Sequence, residues 1–324
     1  MESITKTKVS EEQILKMVRK AFGEELEVKN IEELTEGYFN TAYLVVFKNG
    51  YRAVLKVSPR KEVKVMRYEE NLMETEVFTL NSIDEMGSIP VPKVLFYDKS
   101  KEIIDSDYFF MEFVEGKPLD TISDKISHQQ YNAISSQLGK YVNEINGIDG
   151  EYFGSISRAD KRFSTWSEAF LSMIKELLDD AEEKDVILPY TYDELYLMIS
   201  KYKDVLNKVK KPSLVHKDLW EGNIFFDIKS FRITGIIDCE RALFGDSLLD
   251  PVCGFWLDDK NFMNAYMDKS ELDKDESIRV VIYKVYLFLL MVIEGAYRQY
   301  SDKSIEEWAR EQLDETLKCL KSIG

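Results

Sequence analysis

The tightest constraint on the fold is a β-like island set among helical patterns. It runs from Leu214 to Asp238 and begins Leu214-Val215-His216-Lys217-Asp218-Leu219-Trp220-Glu221-Gly222-Asn223. Ile224-Phe225-Phe226 then reads as a strand, Asp227 to Ser230 as a turn, and Phe231 to Ile237 as the returning strand. Such a hairpin carries Asn223 and Asp238 back to one end, where two oxygen ligands face one cavity. A hard cation such as Mg²⁺ takes one or two protein oxygens and fills its remaining positions with water and phosphate. Asp218, five residues before Asn223, is placed to accept the proton of an attacking hydroxyl or to orient it. Taken alone, the same residues also read as loop and cap positions around a satisfied core histidine, His216.

The chain around the island divides in two. Glu11 to Phe22 has helical spacing behind a candidate N-cap, Ser10, and Thr41 to Lys48 and Arg52 to Val57 read as strands joined by Asn49-Gly50. Glu69 to Ile83 is expected to be helical up to the Ile89-Pro90-Val91-Pro92 break, with Lys93 to Tyr97 and Tyr108 to Val114 as a further strand pair. Beyond Glu115-Gly116-Lys117-Pro118 the pattern is mainly helical: Gln129 to Asn146, Phe163 to Lys184, Thr191 to Val209, and the tail from Phe255. The apolar run Val280 to Ile293, interrupted by Lys284, falls short of the ~20 residues of a bilayer span and reads as a core helix.

HxDxxxxN followed by a metal-binding Asp matches the catalytic part of the protein-kinase template. That template also needs a strand lysine for the phosphates, a helix glutamate to hold it, and a loop over the phosphates. Arg52-Ala53-Val54-Leu55-Lys56-Val57 places Lys56 on a strand. Glu76, four residues before Leu80 and seven before Ile83, is expected to face it while those two face the core, with Glu74 as the alternative. Taken singly, each is an ordinary surface charge; the order and spacing favour the paired reading.

These residues resemble the aminoglycoside phosphotransferase and choline kinase family over nearly the whole chain. Leu34-Thr35-Glu36-Gly37-Tyr38-Phe39-Asn40-Thr41 is similar to its phosphate loop, which precedes the first hairpin, and Pro90-Val91-Pro92 to the strand that follows its helix. The resemblance implies nucleotide contacts from Gly37, Asn40 and Thr41, and favours Glu76 over Glu74. It also implies adenine binding at Phe109-Phe110-Met111-Glu112-Phe113-Val114, through the backbone of Glu112 and Val114 with Met111 as the apolar wall. Asp246 and Asp250, in segments similar to those after the family's metal aspartate, are expected to brace the catalytic loop together with His216. Two departures stand out: Lys217 replaces the family's usual glycine, and Ile145-Asn146 replaces a common Leu-His. The implied fold is α+β and bilobal, protein-kinase-like. Residues 1–111 form a sheet-bearing nucleotide lobe with one main helix, 112–116 the hinge, and 117–324 a larger helical lobe with the acceptor site.

The implied activity is Mg²⁺-dependent transfer of the γ-phosphoryl group of ATP, or GTP, to a hydroxyl of a small molecule. With 43 Lys and Arg against 59 Asp and Glu, the formal charge is −16, the wrong sign for a nucleic-acid partner. Acidic and aromatic side chains suit an aminoglycoside-like cation, so Glu240, Trp256, Asp258, Asp259 and Glu294 are the acceptor candidates. Three cysteines, Cys239, Cys253 and Cys319, form no CxxC pair, and Met1 to Ser10 has no apolar stretch of the signal-peptide kind. A cytoplasmic protein with no membrane partner is expected. A nucleotide-binding pseudokinase acting through partners is the alternative, and a protein kinase is disfavoured by the missing activation loop and Ala-Pro-Glu segment.

Overall fold

The computed structural model describes residues 5–323, apart from 36, 38, 268–270, 300 and 301. Met1–Ile4, and Glu36 and Tyr38 of the expected phosphate loop, therefore lie outside the described residues. Helix α1 (Glu11–Phe22) starts at Ser10, which forms a reciprocal capping box with Gln13. It buries Ile14, Met17 and Val18 on one face of an antiparallel sheet. That sheet consists of β1 (Val28–Leu34), β2 (Thr41–Phe47), β3 (Arg52–Val57), β4 (Val94–Asp98) and β5 (Tyr108–Glu112), in the order β1-β2-β3-β5-β4. Because side chains alternate along a strand, Ala53, Leu55 and Val57 of β3 pack toward α1 while Val54 and Lys56 point the other way. Under that second face lies α2 (Leu72–Asp84), with Met73, Glu76, Val77, Leu80 and Ile83 all buried.

Several expectations need correction here. Strand β1 was not foreseen: its apolar residues Val28, Ile31 and Leu34 recur every third position, and pairing with β2 holds it rather than burial of one face. The glycine loop thus lies inside the β1–β2 hairpin, not ahead of the first hairpin. Helix α2 begins at Leu72 because Asn71 adopts a left-handed conformation and Glu69 belongs to a separate 3₁₀ turn, where its buried carboxylate pairs with Arg298. It ends at Asp84, before the prolines. Glu76 is not on a different face from Leu80 and Ile83; positions i, i+4 and i+7 share one stripe.

The chain leaves the sheet after Glu112 and re-enters pairing at β6 (Lys117–Pro118), which lies against β10 (Ile224–Asp227). Gly116 makes the crossing at φ +108°, where a Cβ would sit 2.7 Å from the Phe226 carbonyl oxygen. The second body holds α3 (His128–Ile145), β7 (Phe153–Ser155), β8 (Arg162–Phe163), α4 (Trp166–Glu183), α5 (Tyr192–Ser200), α6 (Lys203–Leu206) and β9 (Ser213–Val215). After β10 come β11 (Arg232–Ile236), β12 (Leu243–Gly245), α7 (Leu249–Cys253), α8 (Lys260–Tyr266), α9 (Lys274–Arg298) and α10 (Ser304–Ile323). The expected helix over Thr191–Val209 is two helices, broken where the Tyr202 hydroxyl donates to the Leu320 carbonyl of α10. Helix α9 exceeds the apolar run that foretold it. By length and composition it is apolar enough to cross a membrane, yet 72% of its apolar window is buried within the molecule. The architecture is α+β, with an antiparallel sheet toward the N-terminus and a helical C-terminal region, as the sequence implies.

Candidate active site

The expected hairpin forms from β10 and β11, and the Ile237 amide donates to the Asn223 carbonyl at 3.0 Å. Asn223 and Asp238 therefore sit at the same end. Asp238 follows in a left-handed conformation (φ +64°) that turns the chain into a 3₁₀ turn, Cys239–Arg241, and this turn packs on α2. The packing closes a charged triangle across the two bodies: Lys56 Nζ donates to Glu76 Oε1 at 2.6 Å and to Asp238 Oδ1 at 2.8 Å. Glu74 instead meets Lys99 at 2.9 Å.

Glu240 was expected at the acceptor but faces this triangle. Its carboxylate accepts from Asn40 Nδ2 at 2.6 Å, and carboxylate oxygens of Glu76, Asp238 and Glu240 lie within 4.8 Å of one another. Three carboxylates thus share one buried ammonium. Burial opposes the charge on Lys56, but Asp238, Glu76 and Glu240 outweigh it and hold the lysine above its ordinary value. Burial pushes Glu76 up to about 7 despite Lys56, with Asp238 adding to the rise. Burial and then Asp238 push Glu240 well up, whereas Lys56 overcomes burial to hold Asp238 below its ordinary value. Asn40 Oδ1 and Glu76 Oε2 are buried without a hydrogen-bond partner. Surplus negative charge and idle oxygens are the donor chemistry of a hard cation, so these residues fit Mg²⁺.

The loop from His216 to Asn223 is held from below. Asp250, fully buried, accepts the Lys217 amide at 2.7 Å, the His216 amide at 3.3 Å and Asn146 Nδ2 at 2.7 Å. Asn146 also donates to the Leu214 carbonyl and accepts from the Tyr266 hydroxyl, so the departure at this position keeps a full set of bonds. His216 Nδ1 accepts the Asp218 amide at 3.3 Å, which leaves Nε2 carrying the proton that is donated to the Ile237 carbonyl at 3.0 Å. Burial keeps this imidazole below its ordinary value, hence neutral. Asn223 Nδ2 donates to the Asp218 carbonyl at 2.8 Å and to Asp218 Oδ2 at 3.3 Å. Burial pushes the Asp218 carboxyl up to about 6, against the pull of Arg241, whose Nε lies 3.8 Å away.

Asp246 does not brace this loop. It accepts Arg279 Nε at 2.7 Å, the Tyr283 hydroxyl at 2.6 Å and the Leu248 amide at 3.2 Å, tying α9 to the start of α7. Other acceptor candidates are engaged as well. Trp256 is buried, stacks on Phe262 and donates to the Leu219 carbonyl at 2.6 Å, so it supports the loop that carries Asp218. Asp259 caps α8 and accepts from Ser135, and Glu294 accepts from Arg241 at 3.0 Å. Asp258 is exposed. Sequence spacing missed Glu240's placement, Arg241 and Asn146, because only packing of distant segments gives them their partners.

At the glycine loop, Gly37 has room for a Cβ, the nearest atom being the Asn40 carbonyl oxygen at 3.7 Å. Thr41 is buried on β2 opposite Val57, its hydroxyl without a partner. On β5, Met111 is buried opposite Val54, and the Glu112 amide donates to the Lys93 carbonyl. Val114 packs on Gly235 of β11, where a Cβ would collide with it.

A sequence model of the phosphotransferase enzyme family matches residues 30–277, from β1 through α8 and into α9. The chain belongs to that family. Among curated relatives, a probable acyl-CoA dehydrogenase of Arabidopsis thaliana is 22% identical over 75% of this chain, which spans 29% of that protein's length. A probable ketoamine kinase of Vibrio parahaemolyticus is 27% identical, with 57% of each chain covered. The chain thus spans only part of the first of these relatives and a little over half of the second. A candidate fructosamine-3-kinase of Haemophilus somnus 129PT has the same fold, with TM-score 0.71 and 18% identity over 94% of this chain and 96% of its own. A phosphotransferase solved with streptomycin and ATP, APH(2")-IIa, superposes with TM-score 0.58 and 18% identity, covering 98% and 97%.

Proposed function

We propose that this phosphotransferase-family chain transfers the γ-phosphoryl group of ATP, or GTP, to a hydroxyl of a small molecule. The observation that carries the reading is the triangle of Lys56, Glu76 and Asp238 set beside the Asp218–Asn223 loop. Nucleotide complexes among proteins of the same fold support it, ATP being bound in one of them.

Lys56 presents its ammonium to the phosphates and is held by Glu76. Asn223 and Asp238, with Glu240 alongside, would hold Mg²⁺, which supplies neutralisation of phosphate charge. The Gly37 N–H and the Thr41 hydroxyl would donate to the phosphates, while Asn40 Oδ1, an acceptor only, is left for the cation. Met111, Glu112 and Val114 form the adenine wall and edge. Asp218, ionised at neutral pH, orients the acceptor hydroxyl. As its oxygen bonds to the γ-phosphorus and the bond to the nucleoside diphosphate breaks, Asp218 receives the proton. His216 and Asp250 act through the backbone by fixing where Asp218 points. Positioning and charge neutralisation are the whole of the catalysis asked of these groups. A reducing, cytoplasmic setting is consistent with three free cysteines, two of them buried.

The test is nucleotide turnover with Mg²⁺ across a panel of hydroxyl acceptors, with Asp218→Asn as the control. Acceptor-dependent nucleoside diphosphate release, lost in the variant while nucleotide binding stays, supports the reading. Nucleotide binding without turnover of any acceptor turns it toward a pseudokinase.

A further inference from the structure

A narrow cavity of about 50 Å³ opens beside the catalytic loop, with Lys217, Arg241, Arg158, Lys161, Glu176 and Tyr68 in its walls. Lys217 directly precedes Asp218, and Arg241 reaches Asp218 at 3.8 Å, so the cavity abuts the reacting centre.

Its charges do not balance. Glu176 is taken twice, by both ends of Arg158 at 3.0 and 2.8 Å and by Lys161 at 2.9 Å. Glu240, also in the wall, is committed to Asn40. Arg241 is shared between Glu294 and Asp218. Lys217 has no carboxylate within 4.0 Å among the described residues: its ammonium meets the Tyr286 hydroxyl at 3.2 Å and the rings of Tyr68 and Tyr286 at 5.4 and 5.5 Å. It is 6% exposed and sits at φ +64°, so this lysine carries both backbone strain and a buried charge that a glycine would avoid.

We propose that the acceptor carries an anionic head, a carboxylate or a phosphate, which enters this cavity and pairs with Lys217. The inference rests on the phosphotransferase reading and names its substrate class. The cavity admits a head group of that size, and Lys217, which no carboxylate among the described residues neutralises, disfavours the amine that an aminoglycoside would bring. Burial, with Arg241 and Arg158 nearby, pulls Lys217 down to about 8, and a bound anion restores its charge.

Gluconate, sorbitol 6-phosphate, sorbitol and glucamine differ in charge on one polyol frame, and they serve as matched acceptors with Mg²⁺ and ATP. We expect KM for gluconate or sorbitol 6-phosphate to lie at least about tenfold below that for sorbitol, with glucamine poorest. Which acid is preferred separates a carboxylate site from a phosphate site. Lys217→Gln should abolish the preference, as should Lys217→Gly, whose backbone suits φ +64°. Equal or better use of sorbitol or glucamine overturns the inference and leaves the phosphotransferase reading standing, as does a preference that survives both variants. If no acceptor turns over, calorimetric titration of the two acids into the Mg-ADP-saturated protein decides separately. Lys217-dependent binding upholds the anion site, and absence of binding by both acids refutes it.

Discussion

Replacing Asp250 tests whether the catalytic loop is held through its backbone. Asp250→Ala strands three buried donors: the Lys217 amide and Asn146 Nδ2, both at 2.7 Å, and the His216 amide at 3.3 Å. Each stranded buried donor costs about 1–3 kcal/mol, with the 3.3 Å bond at the low end, so the loss should reach about 4–6 kcal/mol. That is a large share of the ~5–15 kcal/mol that holds a domain together. Asp250→Asn should cost about 2 kcal/mol, because whichever way its amide turns, the NH₂ meets a donor already 2.7 Å away. Urea unfolding followed by tryptophan fluorescence reads both, as a midpoint shift at constant slope. A double-mutant cycle with Asn146→Ala should return a coupling of about 1–2 kcal/mol, since the two residues share one bond. An Asp250→Ala loss below about 1 kcal/mol, or no coupling to Asn146, would refute the account.

Other perturbations reach different parts of the molecule. Glu76→Gln removes the deeper partner of Lys56 and should raise KM for the nucleotide more than it lowers kcat, measured by initial rates; unchanged KM would sever the pair from nucleotide binding. Gly116→Ala forces a Cβ to 2.7 Å from the Phe226 carbonyl at φ +108° and should cost about 2 kcal/mol in thermal or urea melts. Asp98 is held below its ordinary value: burial opposes the charge, but Lys20, the Ser100 amide and the Tyr108 hydroxyl outweigh it. A depressed carboxylate stabilises the fold above its unfolded value, near pH ~4, and loses that stabilisation as pH falls further. Asp98→Asn should therefore cost about 2 kcal/mol at neutral pH, and its gap to the parent protein should begin to narrow only below pH ~4 and close only as pH falls through the depressed folded value, as read from melts at descending pH.

Much of the site was legible because it is local. His216, Asp218 and Asn223 lie within eight residues, and a hairpin turn of four residues suffices to bring Asp238 alongside. Likewise, the strand and helix patterns put Lys56 on β3 and Glu76 on α2, although the helix period sets Glu76 on the same stripe as Leu80 and Ile83. Strand β1 escaped notice because it is half-buried and held by pairing, which leaves no period-two signature in its side chains.

What the chain's order of residues determined, then, was which groups make up the candidate site and on which element each stands. Only tertiary packing decided how charge is shared among them. Glu240 and Glu294 look like surface acids in sequence, yet one accepts from Asn40 beside Glu76 and Asp238, and the other pairs with Arg241. Asp246 and Asp250, four residues apart, serve different helices and loops. Lys217 shows the reason most plainly: its neighbours in sequence set only its strained backbone. Tyr68, Tyr286 and Arg241, from three separate segments, make its pocket a place where a cation lacks a carboxylate. A charge's energy depends on its distance to every other charge and to water, and those distances exist only once distant segments have packed.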